Sequence, residues 1–91
     1  MHGEYKTPGG KLVVVDFEVR EGKIAEPMVS GDFFLYPEES LEHIVGSLVG
    51  LSIDSSEEQI AEVVAAAVPE GTEMLGFSPE AIAIAIRRGL A

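Results

Sequence analysis

The octapeptide Ser30-Gly31-Asp32-Phe33-Phe34-Leu35-Tyr36-Pro37 separates a strand-rich first third of the chain from a helical remainder, and its reading decides the fold. Glycine followed by aspartate allows a tight bend, because glycine adopts backbone dihedrals closed to other residues. Two adjacent phenylalanines in extended chain point to opposite sides, so one of Phe33 and Phe34 enters a core and the other faces outward. Pro37 carries a preset dihedral suited to the first turn of a helix. An outward ring is expected to be covered by another surface, which makes Gly31, Asp32, Phe33 and Phe34 candidate interface residues. Asp32 has two available roles, bonding the backbone of the bend or reaching a partner.

Upstream, Leu12-Val13-Val14-Val15-Asp16-Phe17-Glu18-Val19-Arg20 is the clearest strand. Val13, Val15, Phe17 and Val19 fall on one face and Asp16, Glu18 and Arg20 on the other, the period-2 pattern of a sheet with one wet side. Glu21-Gly22 then predicts a two-residue reversal, with Lys23 to Ser30 returning antiparallel. Pro27 cannot donate to a ladder, so this return strand is expected at an edge or interrupted near its middle. Lys6-Thr7-Pro8-Gly9-Gly10-Lys11 is a turn, and Glu4 to Lys6 before it predicts a third strand, with Phe33 to Tyr36 a fourth. The glycines before Lys11 do not make a phosphate-binding P-loop, since Lys11 leads into a strand rather than a helix.

Three helices are predicted downstream. The first opens at Pro37, has Glu38 and Glu39 at its positive dipole end, lines Leu41, Ile44, Val45 and Leu48 on one face and stops at Gly50. The second opens with a capping box of Ser55 and Glu58, buries Ile60, Val63, Val64 and Ala67, and stops at Pro69. The third has Ser78 as cap and Pro79 as first residue, turns Ile82, Ala85 and Ile86 inward, and ends at Gly89 with Arg87 and Arg88 at the negative dipole end. The expected architecture is α+β, a small antiparallel sheet packed against about three helices, in one domain spanning residues 1 to 91.

At 91 residues such a chain buries only roughly 60–65% of its unfolded surface, which argues against a large internal active-site cavity. With no cysteine and only His2 and His43, a disulfide framework, a thiolate site and a histidine cluster are all excluded. No apolar run reaches the ~20 residues of a membrane helix, and the N-terminal hexapeptide lacks an apolar signal core, so a cytoplasmic protein is expected.

The net charge of −10 excludes a nucleic-acid partner, because nothing could displace counterions along a phosphate backbone. Residues 1 to 23 are balanced, four acids against Lys6, Lys11, Arg20 and Lys23, while residues 24 to 86 hold twelve acids and no lysine or arginine. An anionic ligand or acidic partner would be met by the N-terminal third, which makes Lys11 and Lys23 candidate site residues; otherwise the acids form a solvated face. Hydrophobic residues make up 46% of the chain and mean hydropathy is +0.23. That is high for so small a domain and predicts apolar surface that meets a partner.

No catalytic constellation emerges. No carboxylate is spaced to orient His43, which falls on the polar side of its helix, and Glu38 and Glu39 serve the helix dipole before any general base role. Residues that could activate a substrate unaided are absent from this sequence.

Gly9-Gly10-Lys11-Leu12 before a strand, the turn Glu21-Gly22-Lys23-Ile24, Ser30-Gly31-Asp32-Phe33-Phe34 with Pro37 and Glu38, and an amphipathic helix ending Leu48-Val49-Gly50 resemble the accessory domain of lipoate-protein ligases. Leu75-Gly76-Phe77-Ser78-Pro79-Glu80 resembles the last loop and helix start of that domain. In many bacteria of that family the domain is fused behind the catalytic domain, and in some archaea it is a separate small subunit. The resemblance implies a role in making lipoyl-adenylate from lipoate and ATP, before the lipoyl group passes to a lysine of an acceptor protein. It implies a catalytic subunit as partner, with ATP, Mg and lipoate used by the complex and no cofactor held by this chain alone. The Arg-Arg and glycine-run signature of the catalytic subunit is absent, since Arg87-Arg88-Gly89 stands two residues from the end of the chain.

Two other classes fit parts of the sequence. A lipoyl or biotinyl carrier displays a lysine at a hairpin tip, where Lys23 stands, but carriers are all-β and three helices are predicted here. A generic heterodimerising regulatory module would also account for the apolar composition.

Overall fold

The computed structural model describes residues 1 to 91. Its elements are β1 (His2–Lys6), β2 (Leu12–Arg20), β3 (Lys23–Gly31), β4 (Phe34–Tyr36), α1 (Ser40–Leu48), α2 (Glu57–Ala67), β5 (Glu73–Leu75) and α3 (Pro79–Leu90), an α+β fold. The first three strands form an antiparallel sheet in the order β1-β2-β3, and β4 pairs with β5 in a separate two-stranded ribbon.

The period-2 pattern of β2 is realised: Val13, Val15 and Phe17 are buried and Asp16, Glu18 and Arg20 are exposed. The buried face packs on α3, which contributes Ala81, Ile82, Ala85 and Ile86 to the core, and α3 packs in turn on α2. Ile44 and Leu48 of α1 and Ile60 and Val64 of α2 complete the same 16-residue cluster. No helix is long and apolar enough to cross a membrane.

The β2–β3 hairpin turns at Glu21 and Gly22 with φ of 53° and 75°, so both central residues are left-handed, as the twist of a two-residue hairpin favours. Pro27 interrupts β3 as expected. The register jumps from Asp16↔Met28 to Glu18↔Ala25, leaving Glu26 and Pro27 together opposite Phe17. This bulge accommodates a proline that has no N–H to give, in a strand at the edge of the sheet. Glu26 sits there at φ 49°. Beyond the bulge, Gly50 and Leu51 cover the free edge, with Gly50 N–H donating to Ile24 O (2.8 Å) and Ile24 N–H to Leu51 O (2.9 Å).

Three helix boundaries differ from the sequence expectations. Pro37 opens a tight turn rather than α1 itself: Ser40 N–H bonds Pro37 O (3.0 Å) and Leu41 N–H bonds Glu38 O (3.0 Å), and the helix begins at Ser40. The capping box of α2 is Ser56 with Gln59, not Ser55 with Glu58; Gln59 N–H donates to Ser56 Oγ (3.1 Å) and Ser56 N–H to Gln59 Oε1 (2.8 Å). Ser55 is already committed to a turn, its N–H bonding Ser52 O (3.1 Å). Gly89 lies inside α3 instead of ending it. A side chain there would press on the Phe17 ring (3.0 Å) and Gly3 N (3.2 Å), and one at Gly3 would run into the Ala85 carbonyl. These two glycines let helix and edge strand lie in backbone contact, so Gly89 serves packing rather than termination.

Candidate interaction site

The chain between Gly31 and Pro37 crosses from the three-stranded sheet to the β4–β5 ribbon. Gly31 has φ 147°, and a Cβ on it would collide with the Leu12 carbonyl, so only glycine fits this crossing. Asp32 closes the bend: its Oδ1 accepts from Leu12 N–H (2.5 Å) and its own N–H donates to Leu12 O (3.1 Å). Its carboxylate is therefore engaged in holding the β2 and β3 ends together, the first of its two available roles.

Phe33 and Phe34 divide as the alternation requires. Phe33 is half-buried against the core and stacks on Phe77, with ring centroids 4.0 Å apart and planes inclined at 27°. Phe34 is 52% exposed. In the ribbon, Phe34 pairs with Leu75, Leu35 with Met74 and Tyr36 with Glu73. Leu35 is buried and Met74 packs on the core, so the alternate residues all face away from it. Tyr36 is 60% and Leu75 59% exposed. The outward face of the ribbon is thus an apolar ridge of Phe34, Leu75 and Tyr36 ending in Glu73.

Two cross-links hold this ridge in place from behind. At one end Phe33, just before β4, stacks on Phe77, just after β5; at the other Ser40 Oγ and Thr72 Oγ1 share a hydrogen bond (2.9 Å). In the sequence the ridge is indicated by the outward phenylalanine. Tyr36 shares the face of Phe34 in the strand expected over Phe33 to Tyr36, whereas Leu75 has no such signal, because β5 is three residues long, too short for its alternation to stand out among Gly71, Thr72 and Gly76.

Lys11 belongs to the same region. Its aliphatic stem lies over Gly76, next to Leu75, where a Cβ would come within 2.5 Å of Lys11 Cγ. Thr7 Oγ1 donates to Gly76 O (3.2 Å) and accepts from Lys11 N–H (3.2 Å), tying the first turn to the end of the ribbon. Lys23 is elsewhere, paired with Arg20 beside the β2–β3 turn and bridged to Ser52. The eight-residue rise of β2 separates the two lysines by roughly 25 Å. Lys6, Lys11 and Lys23 form no ion pair within the chain, whereas Arg20 binds Glu18 (2.7 Å) and Glu26 (2.5 Å). The neighbouring Glu18 and then the Arg20 guanidinium hold the Glu26 carboxyl below its ordinary range.

The terminal arginines are engaged in structure. Arg87 donates to Ile53 O (2.9 Å) and Ser55 O (3.4 Å), and Arg88 donates to Glu4 O (3.2 Å) while lying 5.0 Å from the centre of the Tyr5 ring. On the same strand, β1, His2 sits between Glu4 Oε2 (2.6 Å) and Asp16 Oδ1 (2.5 Å), and these two bonds, Glu4 first, raise its pKa.

The one groove, of about 310 Å³, is lined by Glu57, Glu58, Glu62 and Glu80 with Ala61 and Ala65, and four carboxylates repel a triphosphate. No three His, Asp or Glu side chains are placed to hold a metal ion.

No protein-family model matches the chain, and no curated protein matches it by sequence. Among solved structures, the chain is similar to one in an archaeal lipoylation system from Thermoplasma acidophilum, comprising a bipartite lipoate protein ligase and its E2 lipoyl domain. The identity is 28%, the TM-score 0.72, and the match covers 96% of this chain and 98% of that one. The chain is therefore similar, along nearly its whole length, to a component of lipoylation machinery.

Proposed function

We propose that this chain is the non-catalytic accessory subunit of a two-subunit lipoate-protein ligase, required by its catalytic partner for ATP-dependent activation of lipoate to lipoyl-adenylate. The observation that carries this reading is the end-to-end similarity to a chain of a bipartite ligase system, at the same length and in an α+β fold. The neighbouring system also contains a lipoyl domain, and Lys23 stands exposed at a hairpin tip, so a carrier is the second reading. Three helices supplying about half of the core weigh against an all-β carrier.

The work of such a subunit is positional. Adenylation needs a carboxylate and a phosphate held in line and shielded from water, and a domain that closes over its partner supplies both without a reacting group of its own. In this reading ATP, Mg and lipoate are held by the partner. The chain contributes a rigid ribbon face and the free ammonium of Lys11.

Incubation with lipoate and ATP tests this. The chain alone is expected to give no lipoate-dependent pyrophosphate exchange, and addition of the catalytic subunit to restore it. Exchange by the chain alone would end the accessory reading. A mass increase of one lipoyl group on this chain, lost in Lys23→Arg, would establish the carrier.

A further inference from the structure

We propose that the outward face of the β4–β5 ribbon is the docking surface for the catalytic subunit, and that the surface it meets is an apolar recess with an acidic group at one end and a basic group at the other. The inference rests on the accessory-subunit reading and specifies its interface.

Phe34, Tyr36 and Leu75 are three of the six large apolar side chains exposed on this molecule, and they alone share one face of a paired ribbon. Of the other three, Met1 precedes β1, Met28 lies in β3 and Val49 follows α1, and isolated exposed apolar residues are ordinary. At 52–60% exposure the ridge presents on the order of 300 Å². A stable interface takes about 800 Å² per partner, so the ridge is sized to be the desolvated centre of a footprint whose rim is polar. The Phe33–Phe77 stack and the Ser40–Thr72 bond fix the ribbon on the core at both ends, so little ordering entropy is lost on docking.

The charges at its ends set the orientation. Lys11, unpaired within the chain, flanks the Leu75 end, and Glu73, opposite Tyr36, stands at the other. A second copy would bring two chains of charge −10 together, which like-charge repulsion opposes. A partner with a carboxylate facing Lys11 and a cation facing Glu73 meets both ends.

Titration calorimetry of the catalytic subunit with this chain decides the matter, with circular dichroism confirming that each variant is folded. Phe34→Ala and Leu75→Ala are expected to weaken binding about 30-fold or more, as central interface residues do. Met28→Ala should leave it unchanged. Glu73→Lys should weaken binding about tenfold, with recovery when the facing basic residue of the partner is replaced by glutamate. If the wild-type chain binds and all three ridge variants bind equally well, the docking surface is refuted while the accessory reading stands. If the wild-type chain does not bind the subunit, both fall. Concentration-dependent dimerisation of the chain, abolished by Phe34→Ala, would assign the ridge to a second copy and overturn the proposal.

Discussion

Phe33 and Phe77 lie 44 residues apart in sequence and stack at 4.0 Å between ring centroids, closing the strand-to-helix crossing onto the last loop. Their contact is what turns the neighbouring Phe34 outward, because successive residues of an extended chain take opposite sides. One aromatic pair therefore serves both links, a packed crossing behind and a presented ring in front.

Truncating the two rings should separate these roles. Phe33 is half-buried, so Phe33→Ala is expected to cost about 2–3 kcal/mol, below the ~3–5 kcal/mol of a fully buried phenylalanine. Phe34→Ala should cost less than about 1 kcal/mol in the isolated chain, since its ring is already largely in water. Urea unfolding of both variants measures this. Equal losses would mean that Phe34 supports the fold as much as Phe33 does.

Glycine positions offer a second contrast. Gly46 is exposed in the middle of α1 with open space where a Cβ would stand, so Gly46→Ala should stabilise by about 0.5–1 kcal/mol. Gly3→Ala meets the Ala85 carbonyl and should destabilise by about 2–3 kcal/mol as strand and helix are forced apart. Thermal midpoints moving in opposite directions are the expected result; a neutral Gly3→Ala would show that β1 and α3 separate freely.

The same features explain what could be read in the sequence. The β2 strand was legible because nine residues repeat one alternation, and the α3 start because Ser78-Pro79 is a strong local cap. The α2 box is displaced by one residue because Ser55 and Ser56 both satisfy the local pattern, and the preceding turn, in which Ser55 N–H bonds Ser52 O, decides between them. Gly89 departs for a different reason: its role is a contact with β1, invisible to helix-end rules. The outward Phe34 follows from alternation, and Tyr36 two residues on shares its face, but Leu75 does not follow, since the three-residue β5 has no period to detect. Lys11 and Lys23 share one balanced segment of sequence and stand at opposite ends of a hairpin, a separation only the pairing register supplies.

The His2 bridge makes a pH prediction. Glu4 and then Asp16 raise the imidazole pKa above its ordinary 6.5, so the folded chain binds this proton more tightly than the unfolded chain. The resulting stability is fully present below pH 6.5 and is lost as pH rises through the higher folded-state value, as long as both carboxylates remain ionised. His2→Gln removes the term. The difference in thermal midpoint between wild type and His2→Gln should be largest near pH 6 and vanish in mildly alkaline solution. A difference that stays constant across that range would show that the ring contributes only neutral hydrogen bonds.

If the chain is the accessory subunit proposed above, Lys11 allows a test of which step it serves. Its stem is packed over Gly76 and its ammonium is unpaired within the chain, so Lys11→Gln removes the charge while keeping most of the packing. If that ammonium meets a carboxylate or phosphate in the closed complex, the exposed contact is worth about 0.2–1 kcal/mol, a several-fold effect at most. Single-turnover adenylation by the reconstituted complex should slow by that factor in Lys11→Gln and be unaffected in Lys23→Gln, whose side chain stands at the far end of β2. Raising the salt concentration should narrow the gap between Lys11→Gln and wild type, because it screens the same contact. Transfer from preformed lipoyl-adenylate to an acceptor protein should proceed at one rate for all three chains, since the activated carboxylate no longer has to be aligned with ATP. Equal adenylation rates for Lys11→Gln and wild type at low salt would leave Lys11 as a solvated lysine at the start of a strand, and a parallel loss in the transfer step would move its contribution from activation to assembly of the complex.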